Sequence, residues 1–187
     1  MIGYAICGSF CTMGRSFSSM SRLVSLGYDI QPIMSESAYS TDTRFHLARE
    51  YCQRVRELTG RDIIHTVKDA EPLGPATPLE ALIIAPCTGN TLAKIRHGIT
   101  DTTVTMAAKA HLRQDRPLLI ALASNDAMSQ NLGGIGALLT RKSTFFVPML
   151  QDDVKNKPYS LVADMDRIPE ALRCAIRGEQ MRPLFLT

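Results

Sequence analysis

Residues 82 to 101 read Leu82-Ile83-Ile84-Ala85-Pro86-Cys87-Thr88-Gly89-Asn90-Thr91-Leu92-Ala93-Lys94-Ile95-Arg96-His97-Gly98-Ile99-Thr100-Asp101. The run Leu82 to Ala85 has strand length and is apolar on every residue, not every second one, as a strand covered by helices on both faces requires. A proline ends the run, and small hydrogen-bonding residues then open a helix over Thr91 to Arg96. Backbone amides, the Thr88 and Thr91 hydroxyls and the Asn90 amide are therefore expected to face a cleft at the carboxyl end of the strand. A plain turn needs few of these groups.

The same alternation extends in both directions. Ile2 to Cys7, Ile30 to Met34, Leu118 to Ala123 and Phe145 to Met149 are further strand-length apolar runs. Between them, Gly14 to Leu26, Thr41 to Leu58, Thr102 to Arg113 and Asn131 to Arg141 carry helical patterns. Strands alternating with helices predict an α/β fold, a single doubly wound (Rossmann-like or flavodoxin-like) parallel sheet flanked by helices. Lys68 to Pro78, with Pro72, Gly74, Pro75 and Pro78, reads as an ordered loop. The whole chain, 1–187, reads as one domain; residues 151–187 form a tail that wraps it or builds an oligomer contact, with one helix at Pro169 to Arg177.

Composition narrows the function classes. The 187 residues are 45% hydrophobic and 21% charged, which fits one packed domain and not a disordered chain. No apolar run approaches the roughly 20 residues of a membrane helix, and the N-terminal stretch lacks the pattern of a secretion signal, so a cytoplasmic protein without a membrane partner is expected. Five scattered cysteines without a CxxC pair suggest reduced thiols, neither a disulfide framework nor a metal site. A formal charge of +3, spread without basic blocks, is too weak to imply nucleic acid but leaves an anionic small molecule open.

Three more polar segments follow predicted strands. Gly8-Ser9-Phe10-Cys11-Thr12-Met13-Gly14 can offer backbone N–H groups to a phosphate at a helix start, though a tight ligand-free turn is an equal alternative. It is neither GxGxxG nor a Walker loop, which disfavours a dinucleotide in this chain. Ser35-Glu36-Ser37-Ala38 can supply a second wall for the same anion or cap the next helix. Ser124-Asn125-Asp126 is a further donor and acceptor cluster, with an Asx-type cap as its alternative.

Pro86 to Lys94, with Gly98-Ile99-Thr100-Asp101 behind it, resembles the PASANT-type motif of the homo-oligomeric FMN-binding flavoproteins. That family includes phosphopantothenoylcysteine and peptidyl-cysteine decarboxylases and, more distantly, flavin prenyltransferases. The wider stretch Ala85 to Lys109, with Ala70 to Pro75 upstream and Phe146-Val147-Pro148 and Gln151-Asp152-Asp153 downstream, is most similar to the dipicolinate synthase branch. Gly89, where the family motif has alanine, and the Thr-Asp-Thr at 100 to 102 point to that branch.

The resemblance implies FMN contacts at Gly8, Ser9, Phe10, Ser35, Thr88, Gly89, Asn90, Thr91 and Asn125, with phosphate or sulfate able to occupy the phosphate position. For catalysis it implies Asn90 and, as the nearest match to an upstream active-site histidine, His65; a structural histidine is the other reading of His65. Of the decarboxylases' PxMNxxMW clamp only Asn125 and Met128 are present. The implied function is an oxidoreductase component that works with a separate NAD(P)-binding A subunit on a small dicarboxylate, making dipicolinate during sporulation. Arg15, Lys94 and Arg113 are candidate cations for the carboxylates, with helix solvation as the alternative. Other readings are a non-catalytic assembly subunit, an FMN-dependent decarboxylase or a flavin prenyltransferase; a flavodoxin shuttle is disfavoured by the net charge and the phosphate loop. A trimer-based homo-oligomer is also implied, with Phe145, Phe146, Val147, Met149 and Leu150 as apolar residues the tail would not easily bury.

Overall fold

Four parallel strands, β1 (Ile2–Ile6), β2 (Ile30–Met34), β3 (Ala81–Cys87) and β4 (Leu118–Ser124), stand in the order β2-β1-β3-β4. The computed structural model describes residues 1–74 and 76–186; Pro75, inside the expected loop, and Thr187, at the end of the tail, lie outside the described residues. Successive strand residues point to opposite faces, and here both faces are buried. Ile2, Tyr4, Ile6, Ile83, Ala85, Leu119 and Ala121 belong to one core. Ala5, Cys7, Leu82, Ile84, Cys87, Leu118, Ile120 and Leu122 belong to the other.

The first core is closed by α1 (Met13–Ser25), α3 (Ala48–Thr59) and α8 (Ile168–Ile176), through Met13, Met20, Leu23, Tyr51, Val55, Ile168 and Leu172. The second is closed by α4 (Val67–Ala70), α5 (Gly89–His97), α6 (Thr103–Leu112) and α7 (Leu132–Leu139), through Ala70, Leu92, Ile95, Val104, Ala107, Ile135 and Leu138. This is the expected α/β sheet flanked by helices. Register shifts between Ile84 and Cys87, where Pro86 has no N–H to give to the ladder.

The sheet is mixed, not purely parallel, and the expected strand Phe145 to Met149 is two strands. β5 (Thr144–Phe146) runs parallel to the first half of β4; β6 (Met149–Leu150) pairs antiparallel with β7 (Leu161–Ala163), which pairs antiparallel with the end of β4. Pro148 sits at the break, unable to donate to a continuing ladder. The segment after 150 thus supplies both a sheet strand and the core helix α8. It also buries Phe145, Phe146, Val147 and Met149, contrary to the expectation that these stay uncovered; only Leu150 is exposed. Gln180 completes the edge, accepting from the Phe146 amide at 2.8 Å and donating to the Phe146 carbonyl at 2.7 Å.

Two helix expectations are corrected. A short α2 (Glu36–Ser40) follows β2, and α3 starts at Ala48 instead of Thr41. Between them, side chains capture the amides a helix would need: Asp42 Oδ1 accepts from Ala48 N at 2.8 Å, and Thr43 Oγ1 accepts from Phe45 N at 3.1 Å and His46 N at 3.3 Å. The stretch expected to be a loop from Lys68 begins inside α4, which Thr66 caps, and a 3-10 turn follows over Glu71–Leu73. Pro72 fits there because the first positions of such a turn need no N–H. No helix among the described residues is long and apolar enough to cross a membrane.

Candidate functional site

Because β1 to β4 are parallel, their carboxyl ends share one edge of the sheet. That edge carries Gly8, Ser9 and Phe10 after β1, Ser35 after β2, Thr88 to Thr91 after β3 and Asn125 after β4. The order 2-1-3-4 also puts the topological switch between β1 and β3, where a cleft forms at the carboxyl side. Cys7 N donates to the Pro86 carbonyl at 3.2 Å, carrying the β1–β3 contact past the last paired residues.

Helix starts along this edge differ in how their amides are satisfied. Ser35 Oγ caps α2 by accepting from Ala38 N at 3.3 Å, and Thr88 Oγ1 caps α5 by accepting from Thr91 N at 3.2 Å. Among the described residues, no side chain caps the 3-10 turn Phe10–Thr12 or α1, which continues it. Thr12 Oγ1 reaches both the Ser9 carbonyl, at 2.9 Å, and Ser9 Oγ, at 3.0 Å. The Ser9 hydroxyl thus sits inside the turn, hydrogen-bonded to Thr12, beside an uncapped helix start, an arrangement suited to a phosphate. A Cβ on Gly8 would lie 2.8 Å from Ser37 Oγ and 3.4 Å from Phe10 Cζ, so Ser37 closes this corner.

The remaining hydroxyls form a chain. Thr88 Oγ1 donates to Thr91 Oγ1 at 3.1 Å, and Thr91 Oγ1 donates to Cys7 Sγ at 3.3 Å. Burial pushes the Cys7 thiol up to about 11, against the opposing Thr91 hydrogen bond. Burial, helped by the neighbouring Cys7, also raises Cys87. Both stay protonated thiols and supply no nucleophile.

Beyond β4, the contact with the Thr88 loop is made not by Asn125 but by its neighbours Ser124 and Asp126 in the same segment, and by Asn131. An added Cβ on Gly89 would meet Ser124 Oγ at 2.5 Å, Asn131 Nδ2 at 2.6 Å and Asp126 Oδ1 at 3.0 Å. Ser124 Oγ donates to Asp126 Oδ1, and Asn131 N donates to the Asp126 carbonyl at 3.2 Å. A polar cluster thus fills the space an alanine at 89 would need. The glycine in the motif was the available signal; its partners were not readable. Asn125 is exposed between two members of that cluster, and Asn90 is exposed in the first turn of α5.

His65 lies at the β2 side of this edge, next to α2. Ile64 bridges to Ile33 outside β2, and the His65 ring stacks on Tyr39 of α2 with centroids 3.8 Å apart. Three strand spacings separate that line from β3, about 14 Å, so His65 and Asn90 do not meet within one chain. Of the candidate cations, Lys94 is bound to Asp101 at 2.9 Å. Arg113 follows α6 close to the start of β4, at the opposite edge of the sheet. Arg15, exposed early in α1, is the one of the three near the candidate cleft and outside the ion pairs among the described residues.

The Flavoprotein family model matches residues 1–157. The B subunit of dipicolinate synthase from Bacillus subtilis (strain 168) is 38% identical over 185 residues, 99% of this chain and 92% of that protein. The crystal structure of the corresponding B subunit from Bacillus halodurans C superposes with a TM-score of 0.91 at 37% identity, covering 100% of this chain and 95% of that one. A dodecameric FMN-dependent UbiX-like decarboxylase from Escherichia coli O157:H7 superposes at 0.63 with 21% identity over 79% of this chain and 80% of its own, a likeness of fold alone.

Proposed function

Because this chain belongs to the Flavoprotein family, we propose that it binds FMN at the carboxyl edge of its sheet and serves as the B subunit of a dipicolinate synthase. It acts in the cytoplasm with a separate NAD(P)-binding A subunit, forming dipicolinate from a dihydro- or tetrahydrodipicolinate-pathway precursor during sporulation. Similarity to the B subunit of the Bacillus subtilis synthase over 99% of the chain supports the assignment. The observation that carries the FMN reading is the uncapped helix start after β1 with the Ser9 hydroxyl beside it.

The residues present fit the cofactor. Gly8, Ser9 and Phe10 take the phosphate, with Ser37 closing the corner and Ser35 behind it. Thr88, Gly89, Asn90 and Thr91 line the ring side, and Asn125 stands at the far wall. Bound there, FMN supplies a two-electron acceptor for hydride removal from a dihydropyridine dicarboxylate. Asn90 can both donate and accept toward a flat ring or a carboxylate, and Arg15 offers a charge to the dianion. The chain lacks a GxGxxG fingerprint, which supports the nicotinamide binding to the A subunit instead. The dodecameric assembly of the UbiX-like relative supports a homo-oligomer, trimer-based here.

A second reading has its own support: Ser35, Thr88 and Thr91 already hold partners within the chain, as a non-catalytic component that only stabilises the A subunit would allow. Reconstitution of dipicolinate formation from the two purified subunits, with and without FMN, separates the two. Thr88, not Asn90, caps α5, so Asn90→Leu leaves the helix start intact. It should cut product formation roughly tenfold to a hundredfold, about 1–3 kcal/mol, with the melting temperature unchanged. Full activity of that variant, or full activity of the mixture without flavin, assigns the chemistry to the NAD(P)-binding partner.

A further inference from the structure

At the other end of α5, nine residues and about 13 Å from Gly89, α5, α6 and the end of α7 enclose a cavity of about 240 Å3. Its floor is apolar, from Ile95, Ala108 and Leu112, and Ile99 stands at its lip, 46% exposed. Lys109, Arg113 and Arg141 also line it, with Gly98, Thr100 and Thr105. No acidic residue lines the cavity, and none of the ion pairs among the described residues involves these three cations.

Each cation by itself suits the end of a helix, where carbonyls favour positive charge. That does not account for their convergence. Lys109 on α6 and Arg113, its C-cap, are four residues apart, a spacing that makes like charges neighbours and costs stability, and Arg141 is brought in from beyond α7. The chain has 18 acidic residues against 21 basic ones, yet all the charge here has one sign. Inorganic phosphate would satisfy the cations and leave the apolar floor wet. A neutral hydrocarbon would do the reverse.

We propose that this cavity is a second ligand site, separate from the cofactor edge, for a small organic dianion whose flat or short apolar body lies on Ile95, Ile99 and Leu112 while its charges face Lys109, Arg113 and Arg141. The volume is below that of an ordinary cofactor pocket and fits a single-ring compound. FMN is excluded on size as well as on position.

The test is titration calorimetry of the full chain with benzene-1,3-dicarboxylate, using inorganic phosphate and benzyl alcohol as probes of charge alone and ring alone. The dicarboxylate should bind more tightly than either, and Arg113→Ala/Arg141→Ala should weaken it about tenfold or more while FMN binding stays as in wild type. Ile99→Glu, at the half-exposed lip, should weaken it as well. Absence of dicarboxylate binding at millimolar concentration overturns the proposal. So does binding that the double variant leaves unchanged, or phosphate binding as tight as that of the dicarboxylate. Sedimentation showing that the double variant dissociates a larger particle, with no change in ligand binding, would make this face a contact between copies of the chain and also overturn it. Failure of FMN to bind bears on the cofactor edge and not on this cavity.

Discussion

Replacing Gly89 by alanine is expected to destabilise the chain, although alanine is the better helix former by up to about 1 kcal/mol. The new Cβ would lie 2.5 Å from Ser124 Oγ and 2.6 Å from Asn131 Nδ2, both on buried residues, and 3.0 Å from Asp126 Oδ1. Forcing one extra carbon into a packed site costs about 1–3 kcal/mol. At the middle of that range, about 2 kcal/mol, the clash outweighs a propensity gain of up to about 1 kcal/mol and leaves a net loss of about 1–2 kcal/mol. At roughly 2–4 °C per kcal/mol for a chain of this size, Gly89→Ala should melt about 2–8 °C below wild type in calorimetry. A double-mutant cycle identifies the cause: in the Ser124→Ala/Asn131→Ala background, which removes the two nearest atoms, the same substitution should be neutral or stabilising. Equal melting of Gly89→Ala and wild type, or the same loss in both backgrounds, refutes the argument that this cluster requires the glycine.

Gly8→Ala meets chiefly the hydroxyl of exposed Ser37, which can turn away. Its melting temperature should fall by less than about 3 °C, under 1 kcal/mol, while flavin fluorescence titration shows FMN bound about tenfold more weakly, the value of one lost hydrogen bond; undiminished affinity would remove this loop from the phosphate site. Tyr4→Phe deletes a buried hydroxyl that donates to the Ser16 carbonyl at 2.9 Å and meets Ser16 Oγ at 3.1 Å. Urea unfolding should register a loss of about 1–3 kcal/mol; an unchanged midpoint contradicts that pairing. Stability should also depend on pH at both ends. Burial raises Cys7 from 9.0 in the open chain to about 11 in the fold, so unfolding releases its proton and stability falls as pH rises between those values, by roughly 2–3 kcal/mol, with Cys87 adding in the same direction. Cys7→Ala/Cys87→Ala should flatten that alkaline limb in urea midpoints, and an unaltered limb rejects the assignment. On the acid side, burial lowers His46 and His111, so the stability they contribute is present above about 6.5 and lost as pH falls below it; His111→Gln should reduce the acid loss.

What the sequence determined by itself was local in origin. Continuous apolar runs marked β1, β3 and β4 as strands buried on two faces, because every residue of such a strand needs an apolar neighbour whichever side it points to. The small and hydroxyl residues after each strand marked the candidate functional edge, because helix starts need acceptors near in sequence: Thr88 caps α5 three residues ahead, and Ser35 does the same for α2. Other features were settled by competition or by distant partners. The helix expected from Thr41 begins at Ala48 because the Asp42 and Thr43 side chains take the first amides in its place. β7 exists because the end of β4 has an open edge after β5 stops, and a strand 37 residues downstream in number, Ser124 against Leu161, fills it. Gly89 and its cluster show the same limit. The motif signalled that a side chain was missing at 89, but Ser124, Asp126 and Asn131 reach that space only because β3 and β4 are neighbours in the sheet. A cap or an apolar run is encoded within one turn or strand, whereas a packed contact between chain segments depends on which strands pair, and that pairing is the outcome of burying both sheet faces at once.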